Sequence, residues 1–191
     1  MTTRLKLVCH APTPAVRTSA FPADEPVDAQ GLQKLAGFSG RLGHVDRCWT
    51  SPALRARQTA AALHLDAVAE PLLRDCDYGT WTGRTLEDVQ AHEPEAVAEW
   101  LGDPEAVPHG GESIADLLKR VATWLDAQSK TEGKMVAITH ATVIRAVVIH
   151  AIKATALSFW RIDIAPLSIT AFSGNHGRWT LSSIGTLAGT D

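Results

Sequence analysis

Two histidines follow segments that have the pattern of strands. His10 comes directly after residues 4–9, which alternate and then become apolar, and His140 comes directly after the apolar run 135–139. Adjacent strands lie about 4.8 Å apart, and ligands of α/β folds bind outside the carboxyl ends of the strands. Each histidine alone is typical of a packed or capping residue, but together they predict two imidazoles that contact one small ligand.

Arg55 indicates the class of that ligand. It lies in the first turn of a helix predicted over residues 53–65. Ser51 is the expected N-cap of this helix, and Pro52 is its expected first residue. A basic side chain is unfavourable at a helix N-terminus, and a bound anion such as phosphate would offset that cost. The alternative is a solvated arginine on an exposed face, which is how we interpret Arg57.

A carboxylate follows in the loop of residues 73–83. This loop holds Asp75 together with glycines and aromatic residues, a composition that suits the wall of a shaped cleft or, alternatively, a surface loop with a half-buried tryptophan. Further along the chain, Glu112 and Ser113 either contribute to the same cleft or cap the amphipathic helix predicted over residues 113–128.

Cys9, directly before His10, is an alternative nucleophile. Cysteine phosphatases use a Cys-x5-Arg loop whose amides cradle the phosphate, but the run here is Cys-x7-Arg, ending at Arg17. Pro12 and Pro14 remove two of the amides, and they also predict that this segment forms neither helix nor strand. We therefore reject Cys9 as the nucleophile and interpret it as a buried, inert thiol or an oxidation target.

The composition excludes several classes of partner. The 191 residues contain 18 Lys+Arg and 21 Asp+Glu, for a formal net charge of -3, so no basic excess is available to bind a nucleic-acid backbone. No run approaches the roughly 18 apolar residues that a membrane-spanning helix needs. The cysteines, odd in number and widely spaced, form neither a disulfide framework nor a paired-cysteine zinc site. We therefore expect a cytoplasmic protein without a metal, another cofactor, or a nucleic-acid or membrane partner; a homodimer stays an open alternative.

The elements that must position these side chains alternate along the chain. Strands are predicted at residues 4–9, 45–50 and 135–139, with a closing hairpin of residues 168–172 and 179–183, and helices at residues 29–37, 53–65, 86–92, 96–101, 113–128 and 142–152. This alternation predicts a three-layer α/β/α sandwich with a mostly parallel central sheet. We expect a single domain over residues 1–191, with a cap-like insertion at about 84–112.

The motifs, taken in chain order, resemble those of the histidine phosphatase superfamily, also called phosphoglycerate-mutase-like. The family's Arg-His-Gly triplet corresponds to Cys9-His10-Ala11. Four further family motifs, Ser-Pro-Leu-x-Arg-Ala-x-Gln-Thr, Leu-x-Glu-x-x-x-Gly-x-Trp-x-Gly, Gly-Glu-Ser and Ser-His-Gly-Gly-Val-Ile-Arg, correspond to residues 51–59, 73–83, 111–113 and 139–145. Each match alone is weak, but five matches in the family's order indicate its phosphoglycerate-mutase-like fold.

The resemblance implies a two-step phosphoryl transfer that needs neither a metal nor another cofactor. His10 would attack phosphorus and form a phosphohistidine, and Asp75 would protonate the leaving oxygen and then activate water. Arg55 and His140 would hold the phosphoryl oxygens. A carboxylic acid suits this task only if a dry, anionic cleft raises its pKa.

The sequence departs from the family pattern at the first phosphate-binding arginine, which is Cys9 here. A thiol carries no positive charge, and loss of one such donor costs about 3–4 kcal/mol in the transition state. We hypothesise that Arg17 swings over the phosphate instead, and the alternative is a solvent-facing arginine. Cys9 and Thr13, in the same loop, are further candidates for phosphate binding. Asp75 is also one methylene shorter than the family's glutamate.

These residues favour a histidine acid phosphatase-type phosphomonoesterase that acts on a small phosphorylated metabolite. The alternative is a catalytically weak or inactive member that binds a phosphorylated ligand or a protein partner. A phosphoglycerate mutase is third, because family mutases are usually longer and have more basic pockets. Specificity would come from residues 14–27 and 84–110. Four side chains either line the cleft or have surface and packing roles: Trp81, His92, Trp100 and His109.

Overall fold

The computed structural model describes residues 3–38, 40–175 and 177–186. Its strands are β1 (Thr3–Cys9), β2 (Arg47–Thr50), β3 (Val68–Ala69), β4 (Lys134–Thr139), β5 (Ile169–Asn175) and β6 (Arg178–Thr186). They form one six-stranded sheet in the order β3-β2-β4-β1-β5-β6. The first four strands pair in parallel, whereas β5 is antiparallel to β1, and β6 is antiparallel to β5. The predicted mostly parallel sheet is confirmed. β3 is absent from the sequence prediction, because a strand of two exposed residues is too short to show a recognisable pattern.

Helices flank the sheet on both faces. They are α1 (Pro14–Arg17), α2 (Ala29–Ala36), α3 (Leu54–Ala62), α4 (Leu86–His92), α5 (Pro94–Gly102), α6 (Ile114–Gln128) and α7 (Ala141–Ile152). Leu7 of β1 packs in a core with α6 and α7, whereas Val8 packs in a second core with α2 and α3. Successive side chains of a strand point to opposite faces, so these two cores give the predicted three-layer α/β/α arrangement. Among the described residues, no helix is long and apolar enough to cross a membrane.

Strand pairing brings the residues after three strands to one edge of the sheet. The last residues of β1 and β4, Cys9 and Thr139, are register partners, and the His10 amide donates to the Thr139 carbonyl at 2.9 Å. β2 lies on the other side of β4, and the Ser51 amide donates to the Ile138 carbonyl at 2.8 Å. Residues 10, 51 and 140 therefore share the carboxyl edge of the parallel strands.

The predicted start of α3 was wrong. Its N-cap is Ala53, not Ser51, and its first helical residue is Leu54. The Ser51 hydroxyl accepts from the Ala53 amide at 3.2 Å, and the Leu54 amide donates to the carboxylate of Asp24, in a distant loop, at 2.6 Å. A capping group from another part of the chain is not visible in local sequence.

The exclusion of helix from the segment with two prolines was also wrong. α1 begins at Pro14, and the hydroxyl of its N-cap, Thr13, accepts from the Val16 amide at 3.3 Å. Proline is compatible with the first turn of a helix, because the amide hydrogen that it lacks would have no partner within the helix there.

The region around α4 and α5 packs on an aromatic cluster. The ring of Trp81 lies 5.5 Å from that of Trp100 and 5.0 Å from that of His109, between ring centroids, and Phe21 is 5.2 Å from Trp81. Trp81, Trp100 and His109 are all buried, whereas His92 is exposed. The three buried rings therefore have packing roles, and His92 lies on the surface.

Candidate active site

The imidazoles of His10 and His140 lie against each other at the carboxyl edge of the sheet. Their ring centroids are 5.1 Å apart, and the planes meet at 64°. Both side chains are buried, at 6% and 1% exposure. The adjacent, parallel pairing of β1 and β4 causes this convergence, because each histidine directly follows the last residue of its strand.

One hydrogen bond decides which nitrogen of His10 carries the proton. Nδ1 lies 2.8 Å from the carbonyl oxygen of Ala11. A carbonyl only accepts, so Nδ1 is the protonated nitrogen and Nε2 keeps a lone pair. Burial, together with the nearby His140 and Arg55, lowers the pKa of His10 to about 3. The imidazole is therefore neutral at ordinary pH, the form in which Nε2 is nucleophilic.

His140 connects the strand edge to a carboxylate. Its Nε2 lies 2.7 Å from the hydroxyl oxygen of Ser51, and its Nδ1 lies 3.2 Å from Oδ2 of Asp75. Ser51 follows β2 directly, so residues from three neighbouring strand ends meet here. The arrangement fixes the ring of His140 between a hydroxyl and an anion.

Arg55 is a buried cation that reaches the same carboxylate. Its Nη2 lies 2.7 Å from Asp75 Oδ2, and its Nη1 donates to the Ala23 carbonyl at 2.7 Å. The residue is 2% exposed, and its Nε has no hydrogen-bond partner among the described residues. The prediction of Arg55 in the first turn of a helix at the strand edge is confirmed.

Asp75 accepts hydrogen bonds at both carboxylate oxygens. Oδ1 accepts from the Thr142 hydroxyl at 2.5 Å and from the Cys76 amide at 2.9 Å, while Oδ2 faces Arg55 and His140. Burial by itself would raise the pKa of Asp75, but the neighbouring His140 and Arg55 and the Thr142 hydroxyl outweigh it and hold the pKa well below its usual range. The expected raised pKa is therefore not found, because these partners stabilise the ionised carboxylate.

The site so described is a set of two imidazoles, a guanidinium and a carboxylate. The sequence profile of the histidine phosphatase superfamily (branch 1) matches residues 5–186. The chain belongs to the histidine phosphatase superfamily. Its solved neighbours have the phosphoglycerate-mutase-like fold: mycobacterial glucosyl-3-phosphoglycerate phosphatase Rv2419c superposes with a TM-score of 0.84 at 23% identity, covering 97% of this chain and 100% of that one.

Curated relatives of this histidine phosphatase chain include proteins with longer sequences. The bifunctional protein Rv2228c of Mycobacterium tuberculosis is 31% identical over 183 residues, which is 89% of this chain and 50% of the relative. Phosphoserine phosphatase 1 of Hydrogenobacter thermophilus is 29% identical over 124 residues, which is 61% of this chain and 59% of that protein. The chain thus spans about half the length of the curated relatives it matches.

Two of the candidates for phosphate binding, Cys9 and Thr13, lie at the end of β1 and directly before α1. Cys9 is buried, and its pKa is raised to about 12 by burial and by the nearby Asp75, so its side chain is a neutral thiol. Thr13 is also buried, and its hydroxyl donates to the carboxylate of Glu25 at 3.0 Å as well as capping α1.

Arg17 is held by a partner outside the cluster of His10, Arg55, Asp75 and His140. Its guanidinium forms an ion pair with Asp28, with Nη2 3.1 Å from Oδ1, and its side chain is 40% exposed. Asp28 is also the N-cap of α2. The structure therefore favours the solvent-facing alternative for Arg17, and it does not bring this arginine to the imidazoles.

Two residues of this histidine phosphatase site were missed by the sequence analysis as side-chain partners. Ser51 was interpreted as a cap, although it follows a strand as His10 and His140 do, and that position is a signal for a site residue. Thr142 lies two residues after His140, in the first turn of α7. Nothing local indicated that its hydroxyl would reach Asp75, because that contact joins segments 67 residues apart.

A cleft of about 500 Å³ opens beside Arg55 and Asp75. Its walls come from the loops after β1, β2 and β3; they include Pro22, Ala23, Asp24, Pro52, Ala53, Arg74, Cys76, Asp77, Tyr78 and Thr82. Among the described residues, no group of three or more histidine, cysteine or acidic side chains could hold a metal ion. The buried guanidinium of Arg55 and the carboxylate of Asp75 thus lie at the wall of this cleft.

Proposed function

We propose that this chain hydrolyses a small phosphomonoester through a phosphohistidine on His10. The observation that carries the proposal is the hydrogen bond from His10 Nδ1 to the Ala11 carbonyl. It leaves Nε2 with its lone pair, and burial, with His140 and Arg55 nearby, keeps the ring neutral. Nε2 would attack phosphorus as the bond between phosphorus and the ester oxygen breaks, and that oxygen would leave with the bonding electrons.

Arg55 and His140 would bind the phosphoryl oxygens. Arg55 is buried and fixed by the Ala23 carbonyl, and His140 is held by Ser51. Preorganised donors in a site with little water stabilise developing charge without reorganising during the reaction. The buried Arg55 Nε, which has no partner among the described residues, is a further donor suited to an oxyanion.

Asp75 would transfer the protons. A phosphate dianion would compete with its carboxylate for Arg55 and His140, which hold it at 2.7 and 3.2 Å. Loss of these partners to phosphate, in a buried site, would raise the pKa of Asp75. It could then give its proton to the leaving ester oxygen. In the second step the carboxylate would take a proton from water, whose oxygen attacks phosphorus and releases His10.

A second candidate function is that of a weak or inactive member that binds a phosphorylated ligand or a protein partner. Two observations favour it. Cys9 is a neutral thiol where the family resemblance predicts a cation, and Arg17 is paired with Asp28 instead of replacing that cation. Phosphate would still be bound by Arg55 and His140, but with one donor fewer in the transition state.

Turnover of p-nitrophenyl phosphate by the wild type and by His10→Ala separates the two candidates. The hydrolase predicts turnover that His10→Ala abolishes, together with a trapped phosphoenzyme that is stable to base and lost in acid. Equal rates for the two proteins would eliminate catalysis through His10. Phosphate binding without turnover would favour the second candidate.

A further inference from the structure

An arginine outside the reacting cluster, Arg120, holds the loop that carries Asp75 through hydrogen bonds. Arg120 of α6 donates to Glu112 Oε1 from Nε at 2.8 Å and to Glu112 Oε2 from Nη2 at 2.7 Å. Its other hydrogen bonds go to three carbonyls of the segment 72–75: Nη1 lies 2.6 Å from Leu72 O and 3.1 Å from Arg74 O, and Nη2 lies 3.4 Å from Asp75 O. All five N–H groups of the guanidinium are used.

Glu112 pairs with Arg120 and also contacts the loop that carries Asp75. The side chains of Arg120 and Glu112 are 8% and 9% exposed, so the pair is largely shielded from water. The Glu112 amide donates to the Asp77 carbonyl at 2.8 Å, and the Glu112 carbonyl accepts from the Cys76 thiol at 3.5 Å. A planar arginine fork satisfies carbonyls that an apolar side chain of the same volume would leave unpaired.

Two glycines let the main chains on either side approach closely. A Cβ on Gly111 would lie 2.1 Å from the Asp77 carbonyl oxygen, and a Cβ on Gly79 would lie 2.0 Å from the His109 carbonyl oxygen. The loop of residues 72–79 is therefore held by α6 through Arg120 and by the segment before α6 through main-chain contact.

We propose that Arg120, held by Glu112, is a positioning residue that fixes the main chain of residues 72–75 so that the Asp75 carboxyl can reach the leaving ester oxygen. This inference rests on the proposed function. Aspartate has a short side chain, so a displacement of its backbone by about 1 Å would move the acid away from that oxygen. A misplacement of this size, even when its cause is remote, costs up to about a hundredfold in rate. Arg120 itself bonds to carbonyls and Glu112, so it acts through Asp75.

The dependence of rate on the leaving group tests this role. A p-nitrophenolate leaves without being protonated, whereas the alkoxide of an alkyl phosphate such as glycerol 2-phosphate needs the proton of Asp75. kcat/KM reports the steps through phosphoryl transfer to His10. We expect Arg120→Lys, which keeps the charge but not the five-donor fork, to lower kcat/KM for glycerol 2-phosphate by about tenfold to a hundredfold. The loss for p-nitrophenyl phosphate should be clearly smaller, and the Kd for inorganic phosphate should not rise.

Lys119→Arg, the reciprocal exchange at the neighbouring position of α6, is the matched control. Lys119 is exposed, and its side chain has no hydrogen bond to the Asp75 loop among the described residues. This variant should leave both kcat/KM values unchanged. If circular dichroism shows that Arg120→Lys does not fold, the same kinetic measurements are made on Glu112→Gln, which removes the negative charge and keeps the shape of the side chain.

Asp75→Asn distinguishes failure of this inference from failure of the proposed function. If Asp75→Asn slows both esters equally, the acid role in the proposed function is wrong. If Asp75→Asn discriminates between the esters but the folded Arg120 or Glu112 variant does not, only the positioning role is overturned. In the double variant, Arg120→Lys should add no further loss specific to the alkyl ester, because residues that act as one unit are not additive.

Discussion

The Nη2 atom of Arg55 lies 2.7 Å from Oδ2 of Asp75, so the cation assigned to phosphate and the group assigned to proton transfer are bound to each other. The contact joins the start of α3 to the loop after β3. Under the proposed function, phosphate and the Asp75 carboxylate would compete for one guanidinium, so phosphate binding and the protonation of Asp75 would be coupled. Phosphate would thereby convert Asp75 from a stabilised anion into an acid.

Removal of this competing carboxylate should strengthen phosphate binding while it weakens catalysis. Asp75→Asn removes a negative charge beside Arg55, so we expect the Kd for inorganic phosphate to fall by about tenfold, or ~1.4 kcal/mol. Hydrolysis of alkyl phosphates should fall at the same time. Calorimetric titration with phosphate, alongside kinetics, measures both effects. Weaker phosphate binding by Asp75→Asn would contradict the competition.

His10 should make the fold less stable in mild acid. Its pKa is lowered from 6.5 to about 3, chiefly by burial. Between these values the unfolded imidazole binds a proton that the folded one does not, so the free energy of unfolding falls as the pH falls, by at most about 1.4 kcal/mol per pH unit. In His10→Asn this contribution is absent, and urea unfolding from pH 6.5 to pH 4 should show a smaller decline than in the wild type. Parallel declines would show that His10 is not buried as a neutral ring.

Cys9 should be unreactive in the folded protein. Burial, with Asp75 nearby, raises its pKa to about 12, so almost no thiolate is present at pH 8. Labelling with iodoacetamide, followed by peptide mass spectrometry, should modify Cys9 in urea but only very slowly in the native state. Fast labelling of Cys9 in the native state, with loss of activity, would instead support Cys9 as the nucleophile.

Arg17→Ala should leave phosphatase kinetics close to those of the wild type. The Arg17 guanidinium is bound to Asp28 and partly exposed, so it lies away from the cluster of His10, Arg55, Asp75 and His140. Steady-state rates with p-nitrophenyl phosphate check the expectation, and Lys34→Ala serves as an exposed control in α2. A rate loss of a hundredfold or more would show that Arg17 does take the place of the cation missing at Cys9.

Gly111→Ala should destabilise the protein through main-chain contact alone. The added Cβ would lie 2.1 Å from the Asp77 carbonyl oxygen, whereas a Cβ on Gly102 would meet nothing within 4 Å. Overpacking of this kind costs about 1–3 kcal/mol, so urea denaturation should show that loss for Gly111→Ala and none for Gly102→Ala. Equal stability of the two variants would contradict the close packing of the Asp75 loop.

Local patterns were sufficient to predict most of the architecture. The apolar runs that end at Cys9 and Thr139 identify β1 and β4, and the residue after such a strand lies at its carboxyl edge whatever the rest of the fold. Arg55 was found for the same reason, since its place in the first turn of a helix is a matter of spacing. These features depend on the pattern of apolar and polar residues over a few consecutive positions, so the sequence alone is sufficient to predict them.

The tertiary structure alone decided the partners of these side chains. The capping of α3 by Asp24, the pairing of Arg17 with Asp28 and the grip of Arg120 on residues 72–75 join segments far apart in the chain. The lowered pKa of Asp75 belongs to the same class, because it depends on which charges the fold brings within a few ångströms of a buried carboxylate. Electrostatic energies vary with distance and burial. The spacing of residues along the sequence determines neither the distance between two charges nor how deeply they are buried.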